Sequence, residues 1–289
     1  MVNNQSTFNP ERRIAMLIDG DNAQHSLLKE MFEEASKYGE VTIRRAYGDW
    51  TEPNLANWRP VMLKHAIQPI QQWRYTSYTT GKNTIGKNAT DSALIIDAMD
   101  ILYSGTVQGF CVISSDSDYT RLCTRIREMG LFVMGIGREK TPEAFISACN
   151  VFVYVENLTQ PDEVKTATTA KKAVKVKTPA KAKTPATVKT PAKPKPSTAK
   201  TPAKAKPTAS QKKLLNLLRR AFDISVQDDD GWVHLGPLGS ALQRIEPSFD
   251  SRTYGSKSLS LLIKSMPKHV EVKSVKKSGT STISVRLKD

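Results

Sequence analysis

From Arg13 onward, short apolar runs rich in β-branched residues alternate with segments in which apolar residues recur every three or four positions. The first kind suits strands buried on both faces, and the second suits amphipathic helices laid over them. The pattern predicts strands at 14–18, 41–47, 67–73, 110–114, 131–136 and 151–155. Between them it predicts helices at 23–38, 53–66, 88–103, 119–129 and 142–148. Strict alternation of this kind implies a doubly wound α/β fold with a mostly parallel sheet and helices on both faces. Functional groups on such a sheet collect at the carboxyl ends of the strands.

The pattern stops near residue 159. Through residue 210 the chain is dominated by Lys, Ala, Pro and Thr, with Lys-Thr-Pro-Ala recurring at Lys177, Lys183, Lys189 and Lys200. Nothing there can build a core, and repeated Pro with like-charged Lys favours a semi-extended, disordered tether. Helical periodicity returns at 211–224, 235–245 and 254–265, followed by alternating strands at 270–275 and 281–287 around a Lys-Lys-Ser-Gly-Thr turn. Three helices and a β-hairpin predict a small winged helix. The expected organisation is therefore a domain at 12–158, a linker at 159–210 and a second domain at 211–289.

Charge is divided unevenly among these parts. The whole chain has 43 Lys and Arg against 28 Asp and Glu, a net +15 that points to an anionic partner such as nucleic acid. Yet residues 1–160 are slightly acidic, with 16 basic and 18 acidic side chains, whereas residues 164–210 hold 13 Lys and no acid. Residues 211–289 hold 14 basic and 8 acidic side chains. Phosphate capture is thus expected from the linker and the second domain. Cys111, Cys123 and Cys149 show no metal-ligand spacing and fit a reducing compartment. The polar first residues and the lack of a long apolar run make secretion and membrane insertion poor readings and a cytoplasmic location the expected one.

Chemistry concentrates in acids at three strand-to-helix junctions. Asp19 ends the first strand in Leu17-Ile18-Asp19-Gly20-Asp21-Asn22, Asp91 lies in the first turn of the 88–103 helix, and Asp116 and Asp118 follow the strand at 110–114. In a parallel sheet every such junction reaches the same edge, which predicts one shared site. Carboxylates within about 4 Å repel by roughly 4 kcal/mol per pair at an effective dielectric near 20, so they need a cation to stay ionised together. Hard oxygen ligands select Mg2+ or Mn2+, which suits phosphodiester hydrolysis. Each acid also has an ordinary explanation as a helix N-cap, with Asp21 as an extra cap. No Walker pattern, complete dinucleotide-binding Gly motif, zinc-type spacing or Ser/His/Asp arrangement competes.

Asp19-x-x-Asn22, Lys87-Asn88-Ala89-x-Asp91 and Ser115-Asp116-x-Asp118 together resemble the NYN domain, a branch of the PIN-like nucleases, over roughly residues 12–158. The resemblance implies a ribonuclease with Asp19, Asp91, Asp116 and Asp118 as metal-binding acids and Asn22 orienting an acid or a water. Asp97 matches a further recurrent acid and, with Ser115, is expected outside the direct ligand set, because six residues carry it off the face of Asp91. The Lys87-to-Asp91 spacing is longer than the Lys-x-x-Asp of many family members. Phosphate contacts are expected from Lys87, from Arg121 and Arg125 on the helix after the Asp116 cluster, and from Arg138 and Lys140. Trp73, Tyr75, Tyr78, Lys82 and Lys87 lie on or near a polar stretch, residues 74–87, able to stack bases and touch backbone, although Trp73 itself reads rather as core.

Gly231-Trp232-Val233-x-Leu235, Pro247-x-Phe249-Asp250 and Tyr254-Gly255 resemble the OST-HTH, or LOTUS, domain. That resemblance implies an RNA-binding or protein-docking module, with Arg252, Lys257, Lys264, Lys276 and Lys277 as candidate nucleic-acid contacts. The reading that follows is a Mg2+- or Mn2+-dependent endoribonuclease whose linker and second domain capture RNA. Its rivals are a catalytically silent RNA-binding scaffold and a nucleoid-associated factor carried to DNA by the basic linker.

Overall fold

A computed structural model of the protein describes residues 11–73, 76–79, 82–85, 89–159, 209–228, 230–277 and 280–288. The linker, Lys87 and Tyr75 therefore lie outside the described residues. In chain order the first domain runs β1 (Arg13–Asp19), α1 (Leu28–Ser36), β2 (Glu40–Gly48), α2 (Trp58–His65), β3 (Gln68–Gln71), a hairpin of β4 (Thr76–Thr79) and β5 (Lys82–Ile85), and α3 (Ala89–Ser104). It continues with β6 (Gly109–Ile113), α4 (Thr120–Glu128), β7 (Phe132–Gly137), α5 (Glu143–Ala148), β8 (Val151–Tyr154) and α6 (Val155–Leu158). Six strands form one sheet in the order β3-β2-β1-β6-β7-β8, and every pairing in it is parallel.

Side-chain alternation along the central strands assigns each residue to a face. Ile14, Met16 and Ile18 of β1, with Cys111 and Ile113 of β6, pack under α1 and α2 against Leu28, Met31, Trp58 and Met62. Ala15 and Leu17, with Phe110 and Val112, pack on the opposite face against Leu94 and Ala98 of α3 and Leu122 and Ile126 of α4. Both faces of β1 and β6 are thus covered, which is why these strands read as unbroken apolar runs. The same period of two carries Asp19, the last residue of β1, and Ser114, one step past β6, onto the α3 and α4 face.

Several predicted helices are shorter than the sequence suggests, for identifiable reasons. The 23–38 segment begins with a 3-10 turn at His25–Leu27, and the 53–66 segment with one at Pro53–Leu55. The 254–265 segment is broken: a 3-10 turn, Ser251–Tyr254, stops at Gly255, whose φ of 73° is left-handed. A fresh helix, α9 (Leu259–Lys264), then starts on a Ser258 cap.

The second domain comprises α7 (Ala209–Asp223), β9 (Val233–His234), α8 (Leu235–Ile245), α9, β10 (Val270–Lys277) and β11 (Thr280–Leu287). A three-stranded sheet, β10-β11-β9, closes its helices, and Leu214, Leu218, Phe222, Leu238, Leu242, Ile263 and Val285 form its core. The domain rests against β8 and α1 of the first. Phe152 N–H donates to the Pro247 carbonyl at 2.8 Å, Asn157 Nδ2 to Thr253 Oγ1 at 3.0 Å, and Arg252 Nη1 reaches Glu34 Oε2 at 3.2 Å. Among the described residues no helix is long and apolar enough to cross a membrane.

Candidate metal centre at the carboxyl edge

The strand order reverses between β1 and β6, and the carboxyl ends of these two strands diverge there, as at the crevice of other doubly wound sheets. Asp19 stands at the floor of this edge, only 1% exposed. The ladder pairs Ile18 with Ile113, so the next residues, Asp19 and Ser114, are neighbours, and Ser114 Oγ donates to Asp19 Oδ2 at 2.8 Å. Asn22 Nδ2 donates to the same oxygen at 2.7 Å, and the amides of Asp21 and Asn22 donate to Oδ1 at 3.1 and 3.3 Å. Asn22 therefore orients an acid, while Asp19 also shapes its own turn. Burial pushes the Asp19 carboxyl above its ordinary value; the Asn22 and Ser114 bonds pull it down, and nearby Asp91 and Asp21 add to the rise.

Above this floor, Asp91, Asp116 and Asp118 each offer one carboxylate oxygen, all within 4.8 Å of one another. Asp91 comes from the first turn of α3. Its Oδ1 accepts from the Tyr119 hydroxyl at 2.5 Å. Asp116 caps the 3-10 turn Ser117–Tyr119 through the Asp118 amide, and its own amide donates to Ser114 Oγ at 3.1 Å. The capping explanation and the clustering thus hold together for the same residue. Burial is the largest cause of an upward shift at Asp91; the Tyr119 bond opposes it, and the charges of Asp116, Asp118 and Asp21 reinforce it. Burial beside these acids also drives the Tyr119 phenol far up, so it stays a donor.

At 4.8 Å an ionised pair repels by about 3.5 kcal/mol at an effective dielectric near 20, and a closer pair repels more. Of the four acids expected as metal ligands, three share the group, and Asp19 is held behind it by its four hydrogen bonds. Asp97 lies apart, bonded to Arg45 Nη1 at 2.7 Å and the Tyr47 hydroxyl at 2.9 Å, where it ties α3 to β2. Ser115 Oγ accepts from the Arg138 amide at 2.9 Å and joins the loops after β6 and β7.

The basic candidates are dispersed. Arg121 and Arg125 both reach Glu128, at 3.7 and 3.6 Å, and Arg125 also donates to the Tyr103 hydroxyl. Lys140, Lys257 and Lys264 are exposed, and Arg138 is partly so. Lys276 and Lys277 fall on β10. Arg252 is engaged at the domain junction, with Asp250 at 2.6 Å and Glu34 at 3.2 Å. Trp73 departs from its expected place in the core: β3 ends at Gln71, and the indole beyond it is 60% exposed.

Ser114, Tyr119 and Asp21 take part in the site although the sequence reading gave them no such role. Ser114 was signalled by its period-two relation to Phe110 and Val112, which puts it on the face of Asp19. Tyr119 was signalled only by following Asp118 directly. Thr90 Oγ1 lies 3.5 Å from Asp21 Oδ2, bringing Asp21 toward the start of α3.

A six-stranded parallel sheet with acids gathered at its switch point defines a PIN-like α/β protein. More particularly, family models match an NYN domain at residues 13–156 and an OST-HTH/LOTUS domain at residues 205–282, so the chain is an NYN-domain protein with a C-terminal OST-HTH/LOTUS module. Among solved structures it is similar to a protein of unknown function from Vibrio parahaemolyticus, at 18% identity over 54% of this chain and 96% of that one, with a TM-score of 0.41. It is also similar to an uncharacterized protein from Nitrosomonas europaea, at 32% identity over 32% of this chain and 89% of that one, with a TM-score of 0.25. No curated protein matches the chain.

Proposed function

We propose that the chain is a divalent-metal-dependent endoribonuclease. The observation that carries this reading is the trio of carboxylate oxygens from Asp91, Asp116 and Asp118 within 4.8 Å. An all-oxygen donor set, with Asp118 exposed to solvent, fits Mg2+ or Mn2+ and leaves room for water and phosphate. Such an ion, when bound, neutralises the acids, holds a phosphate oxygen and acidifies a water for in-line attack.

The residues of the chain prepare this. Tyr119 fixes the Asp91 carboxylate by its hydrogen bond, and Ser114 links the Asp116 amide to Asp19. Asp19 keeps a buried acid behind the trio, steadied by Asn22. The NYN family favours a nuclease, and the OST-HTH module together with the net charge favours RNA as the captured polymer. Lys87, Lys140, Lys257 and the lysine-rich linker are proposed to grip phosphate without reading sequence, so their contribution should fall with salt.

The test incubates labelled single-stranded RNA, structured RNA and DNA with the full chain and Mn2+, alongside Asp19→Asn and Asp116→Asn. Cleavage by the parent and its loss in both variants is the expected result. Equal cleavage by parent and variants, or none by any, would leave a silent RNA-binding scaffold as the better reading.

A further inference from the structure

Three strand ends form one continuous rim beside the acid trio. The Gly20 amide donates to the Tyr47 carbonyl at 2.8 Å, which joins the end of β1 to the end of β2. An added Cβ at Gly20 would lie 2.9 Å from the Trp50 ring, so the indole of Trp50 leans directly on the loop that carries Asp19 and Asp21. Trp50 is in turn pinned toward β3: its amide donates to Gln71 Oε1 at 3.0 Å and its Nε1 to the Ile70 carbonyl at 3.0 Å. The Gln72 amide donates to the Gly48 carbonyl at 3.0 Å and extends this seam by one residue. Trp73 comes next and turns outward.

Two strand spacings place the end of β3 about 10 Å from the end of β1. An indole 60% exposed, just past a hydrogen-bonded corner on the sheet edge that carries the acids, has the make-up of a stacking surface rather than of a core residue. Arg59, in the first turn of α2 and hence toward the same edge, is exposed and makes no ion pair among the described residues, so a cation is available near this rim. A flat π face with a nearby guanidinium suits an unpaired base and its phosphate. A duplex hides its bases from such a surface.

We propose that Trp73 is a stacking platform for single-stranded nucleic acid that approaches the acid trio across the ends of β2 and β3. The proposal rests on the nuclease reading only for what the strand is delivered to. Its test uses the full chain silenced by Asp116→Asn, with Trp73→Ala or Trp73→Phe added. Binding of labelled RNA and DNA single strands of about a dozen nucleotides, and of the matching duplexes, is followed by anisotropy at about 0.5 M salt, where the lysine contribution is screened.

Trp73→Ala should weaken single-strand binding by roughly 5- to 30-fold, Trp73→Phe should restore most of it, and duplex binding should not change. An equal loss on RNA and DNA supports stacking on the base face alone, and a loss confined to one polymer identifies that polymer as the ligand. Unchanged single-strand affinity in Trp73→Ala, or an equal loss on the duplex, overturns the platform; the first result would point to a protein as the occupant of this indole. Because Trp73 is exposed, thermal melts of the variants should match the parent. Cleavage by the unsilenced chain is read separately. Trp73-dependent binding without cleavage sinks the nuclease reading and keeps the platform, whereas cleavage with Trp73-independent binding does the reverse.

Discussion

Asp91 faces opposed demands: burial first, and then its neighbours Asp116 and Asp118, disfavour its charge, while the Tyr119 hydroxyl favours it. In the absence of a divalent ion the first demand is uncompensated. Asp91→Asn retains an acceptor for Tyr119 and removes the repulsion, so metal-free protein carrying it should melt a few degrees above the parent at pH 7. Mn2+ should raise the melting midpoint of the parent, by an amount equivalent to about 2.7 kcal/mol at a hundred times the dissociation constant. It should leave that of Asp91→Asn nearly unmoved. A lower midpoint for the metal-free variant would contradict this electrostatic account. Tyr119→Phe is the complementary change, because the buried ring still fills its place while the bond to Asp91 is lost. The expected result is roughly a 10- to 100-fold loss of metal affinity or cleavage with little change in stability, read by titration and kinetics side by side.

At the level of elements, the site depends on how closely β6 and β7 approach. An added Cβ at Gly137 would lie 2.5 Å from the Ser114 carbonyl oxygen and 2.8 Å from Thr141 Oγ1, so only glycine fits there. Gly137→Ala should cost about 1–3 kcal/mol in urea unfolding. By moving Ser114 it should also reduce activity more than the stability loss explains. The strands and the acid junctions were legible in sequence because both follow from short-range rules: a period of two for buried strands, and a polar residue where a strand hands over to a helix. Less legible was anything set by tertiary contact. The 76–85 segment is mostly polar, with Ile85 its one aliphatic residue, yet Thr76–Thr79 and Lys82–Ile85 pair as a hairpin. The indole of Trp73 ends a run that looks like strand, although the ladder stops at Gln71. Arg252 looks like a free cation until Glu34, 218 residues away in the chain, is brought beside it.

For the whole molecule, that pair links the second domain to α1 of the first. Glu34 is 6% exposed, and Arg252 bridges it to Asp250. Arg252→Ala would leave Glu34 to Lys37 alone, and a loss of about 2 kcal/mol in urea unfolding is expected. If RNA affinity fell while stability held, the guanidinium would belong to the nucleic-acid surface after all. Tyr38, packed at the same junction, has its phenol pushed up to about 12, chiefly by burial and then by Glu34. A raised folded value means that this tyrosine's contribution to stability is complete below its unfolded value near 10 and is lost as pH rises through about 12. Tyr38→Phe should therefore flatten part of the decline in stability over that alkaline interval, measured as urea midpoints at successive pH values.

The bond from the Phe152 amide to the Pro247 carbonyl also has a protective side. Strand β8 is the outer strand of the sheet, and an open strand edge invites pairing with another chain. With the winged helix seated on it, that edge is closed to strangers. A fragment ending after α6 would keep every acid of the candidate metal centre but uncover the β8 edge at the Phe152 amide, and should self-associate as its concentration is raised.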